Sequence, residues 1–419
     1  MDKTSVQEAS SPADTDRNSD RHVSEDESSP QIEDVEALKA EVALLRDKLE
    51  ILQGKASLDI KLQTQMLTAG AKGWPDYDFK VLGDRIRSVM YHIEHWCQQH
   101  ARQGMPDTVE LHDLEKQAII PSLEGYWVQD LEWDTLMKSL PYPFSLYMSE
   151  VLAQSILTKN IVDKFFVNPF WYLEGEGLDR QDHTTGSVSC AQNLQHLYRR
   201  FLESGNFSSA SFYHPHLMLT RTAANGPRAT VWKKETVRLS NSVKVSQAPN
   251  LELGRQTKEY RTNAVALFAS TLLSDVFFQR LLKSVDCDEA TKREDSLLEL
   301  CKFADETAIT LGSNQGHCVY KTLPTMGTTF DPRSHEATVH NLHNVRGNAA
   351  DDARLAGRRI LGITQPAVIL KLRTLRCDEN VLNKAELLVE HGDYTEEDHE
   401  RERPKPSAKT LEEVETEEE

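Results

Sequence analysis

The densest apolar segment of the chain is residues 143–177, PFSLYMSEVLAQSILTKNIVDKFFVNPFWYLEGEG. Within it Leu146, Val151, Leu152, Ser155, Ile156, Val162, Phe165 and Phe166 recur at spacings of three and four. That is the helix period, with a wide apolar stripe. Asn168-Pro169 is expected to end the helix, because proline disfavours helical geometry in the residue before it. Phe170, Trp171 and Tyr172 follow, and Gly175 and Gly177 loosen the chain. A helix so apolar must be covered on most sides, so other helices are expected around it. The predicted fold is an all-α or mostly α body over about 74–390.

A second pattern precedes that body. Val35, Leu38, Val42, Leu45, Leu49 and Leu52 are spaced 3-4-3-4-3, an a/d heptad seam with Leu at every d position. Asp34 and Glu41 fall at g, and Lys39 and Arg46 at e. In a parallel pair each g position reaches the next e of its partner, which matches Asp34 with Lys39 and Glu41 with Arg46. The spacing predicts a coiled-coil helix over 32–68 and a homodimer. The alternative is an amphipathic helix that packs on its own body. The seam resembles a leucine zipper, but the segment before it is acidic where a DNA-reading helix would be basic.

Along the body, helices are predicted over 78–102, near 107–119 and 130–140, and over 189–203, 259–283 and 289–311. Residues 205–256 are rich in Asn, Ser, Gly and Pro and read as a long loop, with a short strand near 230–239. Residues 312–350 are irregular, 351–361 suit a short helix, 367–372 an extended segment, and 378–389 is ambiguous.

Charge is unevenly placed. The formal net charge of -18 includes -5 in residues 1–31 and -8 in 393–419. Both ends are expected to be disordered acidic tails, 1–31 and 391–419, because they hold too little apolar surface to offset the entropy of ordering. Residues 219–258 hold eight basic residues against Glu235 and Glu252. Arg221, Arg228, Lys233, Lys234 and Arg238 are therefore a candidate basic interaction loop, which the acidic tail is placed to cover. One aromatic, Trp232, among these bases is too few for a stacking platform, so nucleic-acid binding is not expected. The N-terminus has no apolar leader and no run is apolar enough to span a bilayer. The six cysteines are scattered without a CxxC pair. A reduced, cytoplasmic or nuclear protein with no membrane contact is expected.

No motif assigns a reaction. His335-Glu336 and His340 resemble a zinc-protease helix, but the histidines sit at i and i+5 and diverge on a helix. His340 and His343, with His335 and Cys318, are conceivable ligands, yet a polar loop is the favoured reading. His92 and His95 read as a solvated face. Asp351-Asp352 lacks the acid that an Asp-rich magnesium motif needs, since Leu355 takes the fifth position. Gly175-Glu176-Gly177 places an acid where a phosphate would sit. No catalytic residue, cofactor or metal is expected.

Several stretches carry a family likeness: Ile86 to Trp96; Val162-Asp163-Lys164-Phe165-Phe166 leading to Pro169-Phe170-Trp171; and Asn380 to Val389 with Lys384-Ala385-Glu386. In these the chain resembles a broad group of fungal lineage-specific proteins of unknown function. The resemblance implies a disordered start, a short coiled coil and a helical body, and no activity. Two functions are expected: a non-enzymatic interaction protein that self-associates through the coiled coil and meets a further protein partner, or a helical enzyme or small-molecule binder with a pocket near Phe165–Tyr172.

Overall fold

The computed structural model describes residues 37–55, 73–104, 113–174, 189–203, 225–248, 250–343, 353–372 and 378–402. They fall into two units, Met1–Ala69 and Gly70–Glu419. In the first, residues 37–55 form helix α1. Leu38, Val42, Leu45, Leu49 and Leu52 of the predicted seam are all exposed on it, as are Leu44 and Ile51. Asp34 and Val35 lie outside the described residues, as do 1–31 and the end of the predicted 32–68 helix.

The second unit begins with α2 (Phe79–His100), whose start is fixed by Asp78: its carboxylate accepts from the Val81 N–H at 2.8 Å. The helix buries Leu82, Ile86, Val89, Met90, Ile93, Trp96 and Cys97 along one face. Short helices α3 (Asp113–Ser122) and α4 (Trp133–Ser139) lead into α5 (Pro143–Ile161). Every residue of α5 from Val151 to Thr158 is buried. Burial right round the helix needs cover right round it. The predicted central helix is present, although Leu146 points to solvent. Serines on α5 are reconciled with burial locally: Ser155 donates back to the Val151 carbonyl at 2.9 Å and accepts from Trp127 Nε1 at 3.0 Å.

The remaining helices are α6 (Cys190–Glu203), α7 (Asn225–Ser240), α8 (Glu252–Ser274), α9 (Val276–Arg280) and α10 (Cys287–Gly312). Two expectations are corrected here. The long loop over 205–256, with its strand near 230–239, is largely helical: α7 fills 225–240 and α8 starts at Glu252. The single helix over 259–283 breaks at Asp275, whose side chain caps α9 by accepting from Phe278 N at 2.7 Å. Gly226-Pro227 misled the loop reading, because proline is tolerated in the first turn of a helix.

Of the all-α or mostly α body expected, the mostly α form holds, because the helical body also carries two small sheets. Strands are β1 (His317–Lys321), β2 (Ala337–Val339), β3 (Ile360–Gln365), β4 (Ala367–Leu372), β5 (Asp378–Asn383) and β6 (Ala385–Val389). A four-residue helix α11 (Leu323–Met326) separates β1 and β2. One sheet has the order β1-β4-β5 and is antiparallel; the other is β2-β6-β3, with β2 parallel and β3 antiparallel to β6. Only Pro366 separates β3 from β4, and only Lys384 separates β5 from β6. Each pair is one bent strand that changes sheet. Pro366 has no N–H to give a ladder, and the side chain of Asn383 donates to the carbonyls of Pro366 and Lys384 at 3.1 and 2.8 Å instead. β3 packs on α5, and β5 packs on α2. The short helix expected at 351–361 is one 3-10 turn, and its end is already β3.

The C-terminal segment corrects another boundary. Residues from 391 onward were expected to be a disordered tail. Instead Tyr394 and His391 are buried, Asp393 pairs with Arg358 at 2.5 and 3.0 Å, and α12 (Glu396–Glu402) follows. The hydrogen bonds and charge of Arg358 hold the Asp393 carboxyl down at about 2. Residues 403–419 lie outside the described residues.

One close approach sets the path between α7 and α8. A Cβ on Gly254 would lie 1.8 Å from the Ser242 carbonyl oxygen. Backbone meets backbone there, so neither side can yield. Gly254→Ala is expected to destabilise the body by about 3 kcal/mol or more. The urea unfolding midpoint checks it, and a midpoint equal to wild type would disprove the contact.

Candidate functional site

The turn that ends the central helix and several later elements build a cleft in the second unit. α5 runs into a single π-helical turn, Val162–Phe166, closed by a hydrogen bond from Val167 N to Val162 O at 3.1 Å. Such turns insert a residue and are frequent at functional sites. Here Phe165 and Phe166, at the end of the turn, are both buried. Phe165 meets Trp171 and Phe268 edge-on at 5.1 and 5.2 Å, and Phe166 meets Tyr320 at 6.1 Å. Asn168 then stops the helix by accepting from Phe170 N at 3.0 Å. Beside this corner α6 contributes Tyr198, Arg199, Leu202 and Glu203, α7 contributes Lys233, and β1 contributes His317 to Tyr320. The cleft has a volume of about 460 Å3. It adjoins the stretch Phe165–Tyr172 that the sequence singled out.

Lys233 is the unexpected member. Its ammonium is buried and donates to the carbonyls of Leu311, Asn314 and Gly316 at 3.4, 3.0 and 3.2 Å. Those carbonyls lie at and just beyond the C-terminus of α10, where orphan acceptors and the helix dipole favour a cation. Burial pushes the Lys233 pKa down to about 8, and Lys234 and Arg238 push the same way, against Cys318. Across the cleft, burial pushes the Cys318 thiol up despite the Lys233 charge, and the Tyr320 phenol well above its ordinary value. The thiol and the phenol thus stay protonated near neutral pH. Tyr198 Oη lies 3.3 Å from His317 Nδ1. The arrangement offers neutral polar groups and a fixed cation over an aromatic wall, which suits binding; Cys318 supplies no thiolate.

The predicted basic loop dissolves into this packing. Lys233, Lys234 and Arg238 are buried on α7. Lys234 and Arg238 both donate to Asp76 Oδ1, at 2.7 and 2.5 Å, and Arg238 Nε donates to Ser313 O at 2.9 Å. Burial pushes Asp76 up, but the hydrogen bonds and charges of these two cations win and hold it below its ordinary value. Lys234 and Arg238 thus already have their carboxylate partner within the body. Arg228 is exposed, and Arg221 lies outside the described residues.

The histidines are rearranged as well. His335 is exposed, and Cys318 belongs to the other sheet, in the cleft. His340 and His343 are buried against Phe144, at ring distances of 5.5 and 5.0 Å. They are core residues, so the polar-loop reading fails for them. His340 Nδ1 accepts from Leu342 N at 3.2 Å, and His343 Nε2 accepts from Val389 N at 3.0 Å. Among the described residues no group of three or more His, Cys, Asp or Glu is placed to hold a metal ion. His92 and His95 lie on the exposed face of α2.

A broader depression of about 770 Å3, lined by Ile119, Ile156, Phe268, Leu272 and Phe277, carries only Lys159 and Asp275 as charged groups. Lys159 already pairs with Asp163 at 2.9 Å. The smaller cleft therefore has the richer chemistry. No family model, curated protein or solved structure matches the chain.

The buried histidines make stability depend on pH. Burial lowers the pKa of His340, against the Glu386 charge; burial, His340, His391, Arg354 and Arg358 lower that of His343 well below 6.5. The His343 ring is neutral when folded, and both rings bind a proton more readily when unfolded. Stability is full above pH 6.5 and falls as pH drops through it, with a slope that approaches about 1.4 kcal/mol per pH unit for a ring that stays neutral in the folded chain. His343→Gln keeps an acceptor for Val389 N–H and removes one titrating ring. Urea unfolding at pH 7.5 and 5.5 is expected to show a smaller loss of stability on acidification in the variant. An unchanged loss would remove His343 as a cause.

Proposed function

We propose that the protein is a non-enzymatic interaction protein that pairs with a second copy of itself through α1. The observation that carries this reading is the row Leu38, Val42, Leu45, Leu49 and Leu52, each at least 46 % exposed on one helix. Five large apolar side chains in a/d register form a seam that loses contact with water when a second helix covers it. Glu41 at g and Arg46 at e supply the complementary charges of a parallel partner. No helix among the described residues is long and apolar enough to cross a membrane, so the seam is not part of such a span.

A second reading is favoured by a separate observation, the cleft beside the π-helical turn. Aromatic walls with a few converging polar groups are the usual make-up of a small-molecule site. On this reading the body carries a ligand, and pairing through α1 presents two such bodies together.

Leu45→Lys with Leu49→Lys places four cations in a paired seam. The double variant is expected to sediment as a monomer where the wild-type chain sediments as a dimer, at concentrations of about tens of micromolar for a coil this short. Its body should keep the wild-type unfolding midpoint. A wild-type chain that sediments as a monomer under those conditions would end the proposal.

A further inference from the structure

The cleft's charge is one-sided. Arg199, Lys233 and Lys371 line it, against Glu203 as the only lining carboxylate among the described residues. Lys371 is held by Glu379 at 2.7 Å, at one edge. Lys233 differs from every other buried cation of α7. Lys234 and Arg238 share the Asp76 carboxylate, whereas Lys233 is met only by the three carbonyls at the end of α10. Those dipoles satisfy its protons, yet among the described residues no carboxylate forms an ion pair with it. A buried charge without a counter-charge is costly, and here it forms part of a cleft wall. Arg199 is exposed on α6, and Phe165, Phe166, Leu202 and Leu311, all buried, supply the apolar lining.

We propose that the cleft binds a small amphipathic anion, an acyl-chain carboxylate, with its chain against the Phe165, Phe166, Leu202 and Leu311 wall and its carboxylate in the field of Lys233 and Arg199. The chain removes apolar surface from water, and the head group supplies the negative charge that the wall lacks. Tyr320 and the Cys318 thiol are neutral near neutral pH and leave the cleft's positive sign intact. The proposal rests on the small-molecule reading of the cleft and adds the class of ligand to it.

The test uses the full chain and a matched pair of probes, octanoate and 1-octanol, titrated by calorimetry at low salt. Octanoate is expected to bind at least about tenfold tighter than octanol, the factor that corresponds to about 1.4 kcal/mol. Arg199→Glu, at an exposed position, should remove most of that advantage and leave octanol binding unchanged. Lys233→Met should do the same if it folds, and Arg199→Glu keeps the proposal exposed to failure if it does not. Equal affinity for the two probes, or octanoate binding that is indifferent to Arg199→Glu, would overturn the anionic class while the cleft remained a ligand site. Absence of binding by both probes would overturn the small-molecule reading together with the proposal.

Discussion

Burial of α5 on every side is the constraint from which the rest of the body follows. Every residue from Val151 to Thr158 is buried, and α2 covers one side of the helix and β3 another. Each large side chain so buried contributes roughly 1.5–3 kcal/mol relative to exposure. Two polar residues of that stretch have partners in place, whereas the Thr158 hydroxyl is buried without one among the described residues. Ser155 takes the indole N–H of Trp127, and Gln154 donates to Glu386 on β6 at 3.2 Å. Thr364 of β3 also donates to that carboxylate. The same helix ends in the π-helical turn that shapes the cleft, so core packing and the candidate site share one backbone.

A second organising feature is the end of α10. Helix termini leave carbonyls without intrahelical partners, and here α7 supplies the donors: Lys233 to Leu311, Asn314 and Gly316, and Arg238 to Ser313. Cations at a helix C-terminus also meet the favourable end of its dipole. The same contacts bring a buried positive charge to the cleft wall. Structural capping and the positive charge of the cleft wall are thus served by one side chain.

The bent strands at Pro366 and Lys384 let one antiparallel pair serve two sheets. β4 and β5 reach the cleft through Lys371 and their neighbour β1, while β3 and β6 close over α5 and the buried histidines. Burial in β3 and β6 is almost continuous, with Gln365 alone in the two strands not fully buried. Strands covered on both faces lose the alternation by which a half-exposed strand is recognised. That is why residues 360–361 read as the end of a helix and 378–389 as ambiguous.

Local pattern determined the helices with a clear face or a clear stop: α2 after Asp78, the apolar course of α5, the stop at Asn168-Pro169, and α10. It also singled out Phe165–Tyr172, beside which the cleft lies. The seam of α1 was legible as a register, because heptad spacing is a property of the segment alone. What the tertiary structure decided was the fate of polar residues. Lys234 and Arg238 read as a solvated basic loop until Asp76, about 160 positions earlier in the chain, supplies the carboxylate that allows their burial. His340 and His343 read as loop residues until Phe144 and the Val389 N–H enclose them. Hydropathy along a sequence registers the cost of burying a charge or an imidazole. The partner that offsets this cost is distant in the chain and appears only when the fold brings the two together.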